Sequence, residues 1–144
     1  MTTPKAADYV KLLLTQEGDD YLWGSKPDPS EENPKADGVP EDCSGLVSWG
    51  TNHLKVQPPM PDGSINQFEH CRQHECAIPI EQAIHTSGAL IFRLSNRLGN
   101  HVVTSLGDGR TIEAASRKLG VIVGHTAGRV WTHAALIPGM DYGK

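Results

Sequence analysis

The texture of the chain changes at Gly88, and that change constrains the fold more than any other feature. Before it, apolar residues recur at helical spacing. After it come five short runs rich in β-branched residues between Gly-containing turns, at residues 89–93, 101–106, 111–115, 120–124 and 134–138. Such runs predict strands of an antiparallel sheet. Helices first and strands afterwards predict an α+β fold rather than alternating βαβ units. With 144 residues and no internal repeat, the chain is expected to form a single domain over 1–144. A chain of that size buries roughly two thirds of its unfolded surface.

The first half reads as helices joined by polar connections. Pro4, after Thr3, is expected as the first residue of a helix that covers 6–16 and stops at Gly18. Residues 19–24 form a short extended piece. Residues 25–40, dense in Pro, Asp, Glu, Lys and Gly, are an exposed loop without a core of its own. Cys43, Leu46, Val47, Gly50 and Leu54 then fall at spacings of 3, 4, 7 and 11, one stripe of a helix. Pro58, Pro59 and Pro61 mark a linker. Ser64 and Gln67 match a capping box opening a helix to about Glu75, with Ile65, Phe68 and Cys71 on its apolar stripe. A short helical turn is expected over 80–85.

Charge and composition remove several classes of function. A net charge of −4, mixed along the chain, leaves no basic footprint for nucleic acid. The apolar stretch at 10–14 is broken by Lys11 and is far too short to span a membrane. Three cysteines, an odd number, argue against a disulfide framework.

Cys43 carries the chemistry. On an apolar stripe a cysteine ordinarily serves as a small core hydrophobe. Cys43, however, lies in the first turn of its helix, directly after a polar loop. There the unsatisfied N–H groups and the helix dipole favour a thiolate. Glu41 and Asp42 oppose this, since their charges raise a thiol pKa, and a cationic histidine is expected to outweigh them. A thiol so placed needs a histidine as base and a polar group to orient the histidine. His101, opening one strand, and Glu113, in the next, are the candidates. The chain therefore reads as a cysteine hydrolase.

Several motifs recur here in a familiar order. Tyr21-Leu22-Trp23-Gly24, Asp42-Cys43-Ser44-Gly45-Leu46-Val47, Gly88-Ala89-Leu90-Ile91-Phe92, and His101 followed by Gly107-Asp108-Gly109 and Glu113-Ala114 resemble the NlpC family of cell-wall cysteine peptidases. The resemblance runs over about residues 6–138. It implies a papain-like α+β fold, with the nucleophile at a helix start packed on an antiparallel sheet that bears the histidine. It also implies hydrolysis of peptidoglycan stem peptides through a thioacyl-enzyme, commonly between D-glutamate and diaminopimelate, with no cofactor.

Residue by residue, the resemblance implies Cys43 as nucleophile and His101 as general base and later general acid. Glu113, twelve residues beyond His101, falls where the family has its orienting residue, and a Glu there resembles the mycobacterial cell-separation members. Asp42 matches a position that helps hold the substrate's free amine. Tyr21 matches a tyrosine whose hydroxyl assists at the oxyanion, with the Cys43 N–H as a further donor. Ser44 is grouped with them on the substrate side, as a helix-start residue and not a second nucleophile. The chain departs from the pattern at Ala89, where Asp is usual, at Val103, where Gly is usual, and in the longer 25–40 loop. That loop is expected to overhang the Cys43 side of the cleft and to bear on specificity.

The pairing of His101 with Glu113 depends on one turn. A two-residue Asp108-Gly109 loop sets the two side chains on opposite sheet faces. A three-residue Gly107-Asp108-Gly109 loop, with Gly109 left-handed, puts Glu113 opposite Val103 and on His101's face. The diagonal separation is then roughly 7–8 Å between Cβ atoms, within reach of a Glu side chain. The three-residue loop is the expectation.

The second conspicuous cluster is His70-Cys71-Arg72-Gln73-His74-Glu75-Cys76. His70 and His74 share a helix face, yet the spacing fits no common zinc template, and Cys71 reads as core. No metal site is expected. His53, His85, His125 and His133 have no partner in the pattern. Trp23 and Trp131 are weighed as cleft residues against the core role that large aromatics usually serve. Ser48 is read as a helix-surface residue.

Two rival functions share the same residues: an N-acetylmuramoyl-L-alanine amidase using the same nucleophile, and a non-catalytic wall-binding module of the same fold. Intact Cys43, His101 and Glu113 argue against the second. A zinc-dependent interaction domain built on residues 70–76 is a third. The expected partner is the stem peptide of bacterial peptidoglycan, with no nucleic acid and no membrane span, and the chain is expected to be a monomer. The N-terminus shows no signal peptide. Two routes to the wall fit that reading: a phage lysin or tail-associated module, or a domain cut from a larger secreted protein. Met1 points to the phage route, and the mycobacterial-like Glu113 to an actinobacterial host.

Overall fold

The five runs after Gly88 become β1 (Leu90–Arg93), β2 (His101–Ser105), β3 (Arg110–Ser116), β4 (Gly120–His125) and β5 (His133–Ala135). They form one antiparallel sheet in the order β4-β3-β2-β1-β5. This computed structural model describes residues 3–143; Met1, on which the phage reading drew, lies outside them. β5 stops short of residue 138 because the Leu136 N–H turns away to the Cys76 carbonyl, at 2.8 Å.

Four helices precede the sheet: α1 (Ala6–Leu14), α2 (Cys43–His53), α3 (Ser64–Gln73) and α4 (Ile80–Ile84). Two expected starts differ from the sequence reading. Pro4 is not the first residue of α1; Lys5 is its N-cap and bridges to Asp141, so the chain before Ala6 is extended. The Ser64–Gln67 capping box does not form either. Gly63 caps α3, and the Gln67 amide is drawn inward, donating to the Ser44 and Pro61 carbonyls at 2.9 and 3.0 Å. The buried Ser44 carbonyl and the partly buried Pro61 carbonyl thus outcompete the helix end for that side chain.

The main core lies between α1 and α2 and one sheet face. Tyr9, Leu13, Leu46 and Trp49 meet Leu90, Phe92, Val102 and Ile112 there. Gly50 lets α1 and α2 close on each other: a Cβ at that position would stand 2.6 Å from Leu13 Cδ2 and 3.1 Å from Tyr9 Cε1. The opposite face carries a second cluster of Ala83, Ala89, Ile91, Val103 and Ala134, with Ile80 and Ile84 of α4 packed against it. Ala89 and Val103, the two departures from the family pattern, are both fully buried in this cluster.

The 25–40 segment is not a detached loop. Pro27 and Pro34 are buried, the Trp49 indole N–H donates to the Glu31 carbonyl at 2.8 Å, and Gln16 ties Asn33 and Lys35 at 3.1 and 2.9 Å. Most of it therefore runs along α1 and α2 rather than over the cleft. Among the described residues, no helix is long and apolar enough to cross a membrane.

Candidate active site

The β2–β3 connection determines what stands beside His101. Thr104 pairs with Ile112 and Ser105 with Thr111, and the Leu106 N–H donates to the Arg110 carbonyl at 2.9 Å. The loop is thus Gly107, Asp108 and Gly109, with Gly109 at φ +89°, the left-handed conformation that a glycine adopts without strain. Continuing the register puts Glu113 opposite Val103 and on the face of His101. His101 Nε2 lies 3.0 Å from Glu113 Oε1.

Glu113 is 1% exposed, and its carboxylate is surrounded by donors. Arg129 grips it with both ends of its guanidinium, Nη1 to Oε2 at 2.7 Å and Nη2 to Oε1 at 2.8 Å. Thr111 donates its hydroxyl to Oε2. Burial alone would raise the Glu113 pKa, but the hydrogen bonds from His101, Arg129 and Thr111 outweigh it and hold the group at about 2. Glu113 is a permanent carboxylate near neutral pH. For His101 burial acts to lower the pKa; hydrogen bonding to Cys43 and then to Glu113 wins, and the imidazole is held above its ordinary value. The arrangement favours imidazolium beside the thiol.

Cys43 is half-buried at the first residue of α2. Asp42 is the N-cap: its Oδ1 accepts from the Gly45 N–H at 2.6 Å, as helix-start carboxylates do. Its Oδ2 accepts from the Gly24 N–H at 3.0 Å and from Lys26 Nζ at 2.8 Å. Lys26 also reaches Ser44 Oγ at 3.1 Å. Glu41 is wholly enclosed beside Asp19, and burial, then its hydrogen bond with Asp19, push its pKa up to about 10. Asp19 Oδ2 and both Glu41 oxygens meet no N–H or O–H donor among the described residues, which fits a proton shared between one oxygen of each carboxyl. Of the two acidic residues expected to oppose a Cys43 thiolate, Asp42 is thus ion-paired with Lys26 and Glu41 is enclosed with its pKa raised.

Tyr21, Asp42, Cys43 and Ser44 line one cleft of about 580 Å³, with Trp23, Lys26, Ile65, Asn66 and Asn100. Trp23 is 85% exposed and Ile65 51%, so both belong to the cleft and not to the core the sequence pattern suggested. Burial raises the Tyr21 pKa, aided by Cys43 and Asp42, and its hydroxyl stays protonated. The ammonium that Asp42 holds here is Lys26's own.

Ser48 is buried and donates to Asp62 Oδ1 at 2.7 Å, so it is not a surface residue. His53 finds a partner in the Pro29 carbonyl, at 2.8 Å. In the 70–76 cluster, Cys71 is core, its thiol pushed up to about 12 by burial, and His74 Nδ1 pairs with the His70 carbonyl at 2.8 Å. Among the described residues, no three His, Cys, Asp or Glu side chains are grouped to hold a metal ion.

Three contributors escaped sequence reasoning. Thr111 lies two residues before Glu113, so strand alternation could have found it. Lys26 sits in a segment read as exposed loop. Arg129 is sixteen residues beyond Glu113 in an irregular connection, and no local pattern marks it.

The model of the NlpC/P60 family matches residues 18–139. No curated protein sequence matches the chain. Among solved structures, the P60 domain of antigen MAP1204 from M. avium subspecies paratuberculosis is 31% identical, over 92% of this chain and 94% of that one, with a TM-score of 0.69. The peptidoglycan hydrolase RipB of Mycobacterium tuberculosis is 27% identical, over 92% of this chain and 66% of that one, with a TM-score of 0.65. The NlpC/p60 domain of the peptidoglycan hydrolase SagA is 24% identical, over 92% and 99%, and its TM-score of 0.71 shows the shared fold.

Proposed function

The chain belongs to the NlpC/P60 family, and from that premise we propose that it is a cysteine endopeptidase of bacterial peptidoglycan. The observation that supports this reading is the buried His101–Glu113 pair, 3.0 Å apart, with Cys43 at the start of α2 acting on the imidazole to hold it above its ordinary pKa.

In the proposed reaction the Cys43 thiolate attacks a stem-peptide amide carbonyl. In this reading the oxyanion is received by the Cys43 N–H and the Tyr21 hydroxyl, from two residues that line the cleft. The His101 imidazolium then gives its proton to the departing amine, leaving a thioacyl-enzyme and a neutral imidazole. Water, deprotonated by His101, attacks the thioester; the acid product departs and the thiolate–imidazolium pair is restored. Glu113 keeps one imidazole tautomer in place throughout. The D-glutamyl–diaminopimelate amide is the proposed scissile bond, on the family resemblance.

Digestion of purified muropeptides of defined stem sequence, followed by mass spectrometry, tests the assignment. Products ending in D-glutamate and beginning with diaminopimelate support it. Release of the whole stem peptide from N-acetylmuramate would instead make the enzyme an amidase.

A further inference from the structure

We propose that Arg129 is the positioning residue of the Cys43–His101–Glu113 site: it keeps Glu113 ionised and aimed while His101 passes between its two charge states. The proposal rests on the triad reading above. Its support is a set of contacts made by a residue outside the motifs that carry the family resemblance.

A carboxylate that is 1% exposed requires a compensating charge. His101 can supply one only while it is an imidazolium, and the reaction requires it to release that proton. At the neutral-imidazole stage Glu113 would be left as an uncompensated buried charge, or would take a proton and lose its hold on the ring. Arg129 removes that conflict, because a guanidinium stays charged at every working pH. Its two-point grip, at 2.7 and 2.8 Å, also fixes the plane of the carboxylate. Oε1, the oxygen facing His101 Nε2, is thereby held in one direction.

Arg129 is itself held. Its guanidinium carbon lies 4.6 Å from the centre of the Trp131 ring, the Trp131 indole N–H donates to the Thr126 carbonyl at 3.0 Å, and Arg129 Nη1 also donates to the His125 carbonyl at 3.1 Å. The connection from β4 to β5 thus braces the back of the site. Arg129 does not line the cleft that contains Cys43. It lines a separate cavity of about 300 Å³, which His101, Glu113 and Arg93 also line and Cys43 does not. The charged and titratable groups that bear on Glu113 and His101 are therefore Arg129, Arg93 across that cavity, and Cys43. Of the two arginines, Arg129 is the one hydrogen-bonded to the carboxylate.

The test compares wild type, Arg129→Gln and Arg129→Lys by two readouts across pH. One is the rate of Cys43 alkylation by iodoacetamide, which needs no substrate; the other is kcat and KM on muropeptide. In Arg129→Gln, Glu113 takes up a proton at mildly acidic pH. Alkylation then gains a new acid inflection, and kcat falls about tenfold near pH 5.5 with KM changed by less than about twofold. The loss shrinks towards pH 8, and Arg129→Lys restores part of the acid limb. In a Glu113→Gln background, adding Arg129→Gln introduces no further pH dependence. A pH profile in Arg129→Gln identical in shape to wild type, whether the rate is unchanged or lowered equally at every pH, overturns the proposal. Should Arg129→Gln not fold, the alkylation profile of Arg129→Lys decides: an unchanged acid limb overturns the proposal, and a displaced one supports it. Absence of hydrolysis by wild type would sink the endopeptidase reading, while the alkylation profiles would still decide the part played by Arg129.

Discussion

His101 Nε2 stands 3.0 Å from Glu113 Oε1 because the turn between their strands has three residues and not two. Side chains on a strand alternate faces, so a loop shorter by one residue reverses the side of the sheet on which Glu113 appears. Gly109, at φ +89°, is what allows the longer turn to close. The site is thus built by register.

Replacing Glu113 by Gln keeps the shape and removes the charge. The imidazolium loses its buried counter-charge, and Arg129 loses its partner. We expect kcat to fall on the order of 10- to 100-fold with KM little altered. Steady-state kinetics over a range of pH provide the check, and turnover equal to wild type at all pH values would contradict the role given to Glu113.

Replacing Lys26 by Met removes the counter-ion from Asp42 while keeping a long side chain on the cleft wall. An uncovered carboxylate beside Cys43 disfavours the thiolate. Alkylation of Cys43 near pH 7 should slow by about threefold to tenfold, with the profile displaced to higher pH. A profile that superimposes on wild type would show that Asp42 does not act on the thiol.

Glu41 makes stability depend on pH. Its folded pKa of about 10 lies well above the ordinary glutamate value of about 4.3. Across that window the folded chain holds a proton that the unfolded chain has released, so stability is highest below it and is lost as pH rises. Glu41→Gln removes this linkage. Its Tm should fall less than that of wild type between about pH 5 and pH 9, and lie higher at the alkaline end. Parallel Tm curves would contradict a protonated Glu41.

Much of this was legible in the chain because it depends on local pattern. The helix stripe ending at Leu54, the strand runs after Gly88 and the turn at Gly107–Gly109 each announce their own conformation. Cys43, His101 and Glu113 stand in motifs whose order carries the family resemblance. What escaped depends on contacts between distant segments. Gln67 looks like a capping residue until the Ser44 carbonyl is brought beside it. Glu41 and Asp42 look like two charges against a thiolate until folding encloses one and brings Lys26 to the other. Trp23 looks like core until the cleft opens at its side. Arg129 has no signature at all, since an exposed-loop arginine and a buried-carboxylate clamp read alike in one dimension.

The central claim is that Cys43 is the nucleophile of a wall peptidase. Mass spectrometry of purified diaminopimelate-type peptidoglycan, incubated with wild type and with Cys43→Ala, tests it most directly. The account predicts new peptide fragments with wild type and none with the variant. Identical undigested profiles, or fragments that persist in Cys43→Ala, would contradict it.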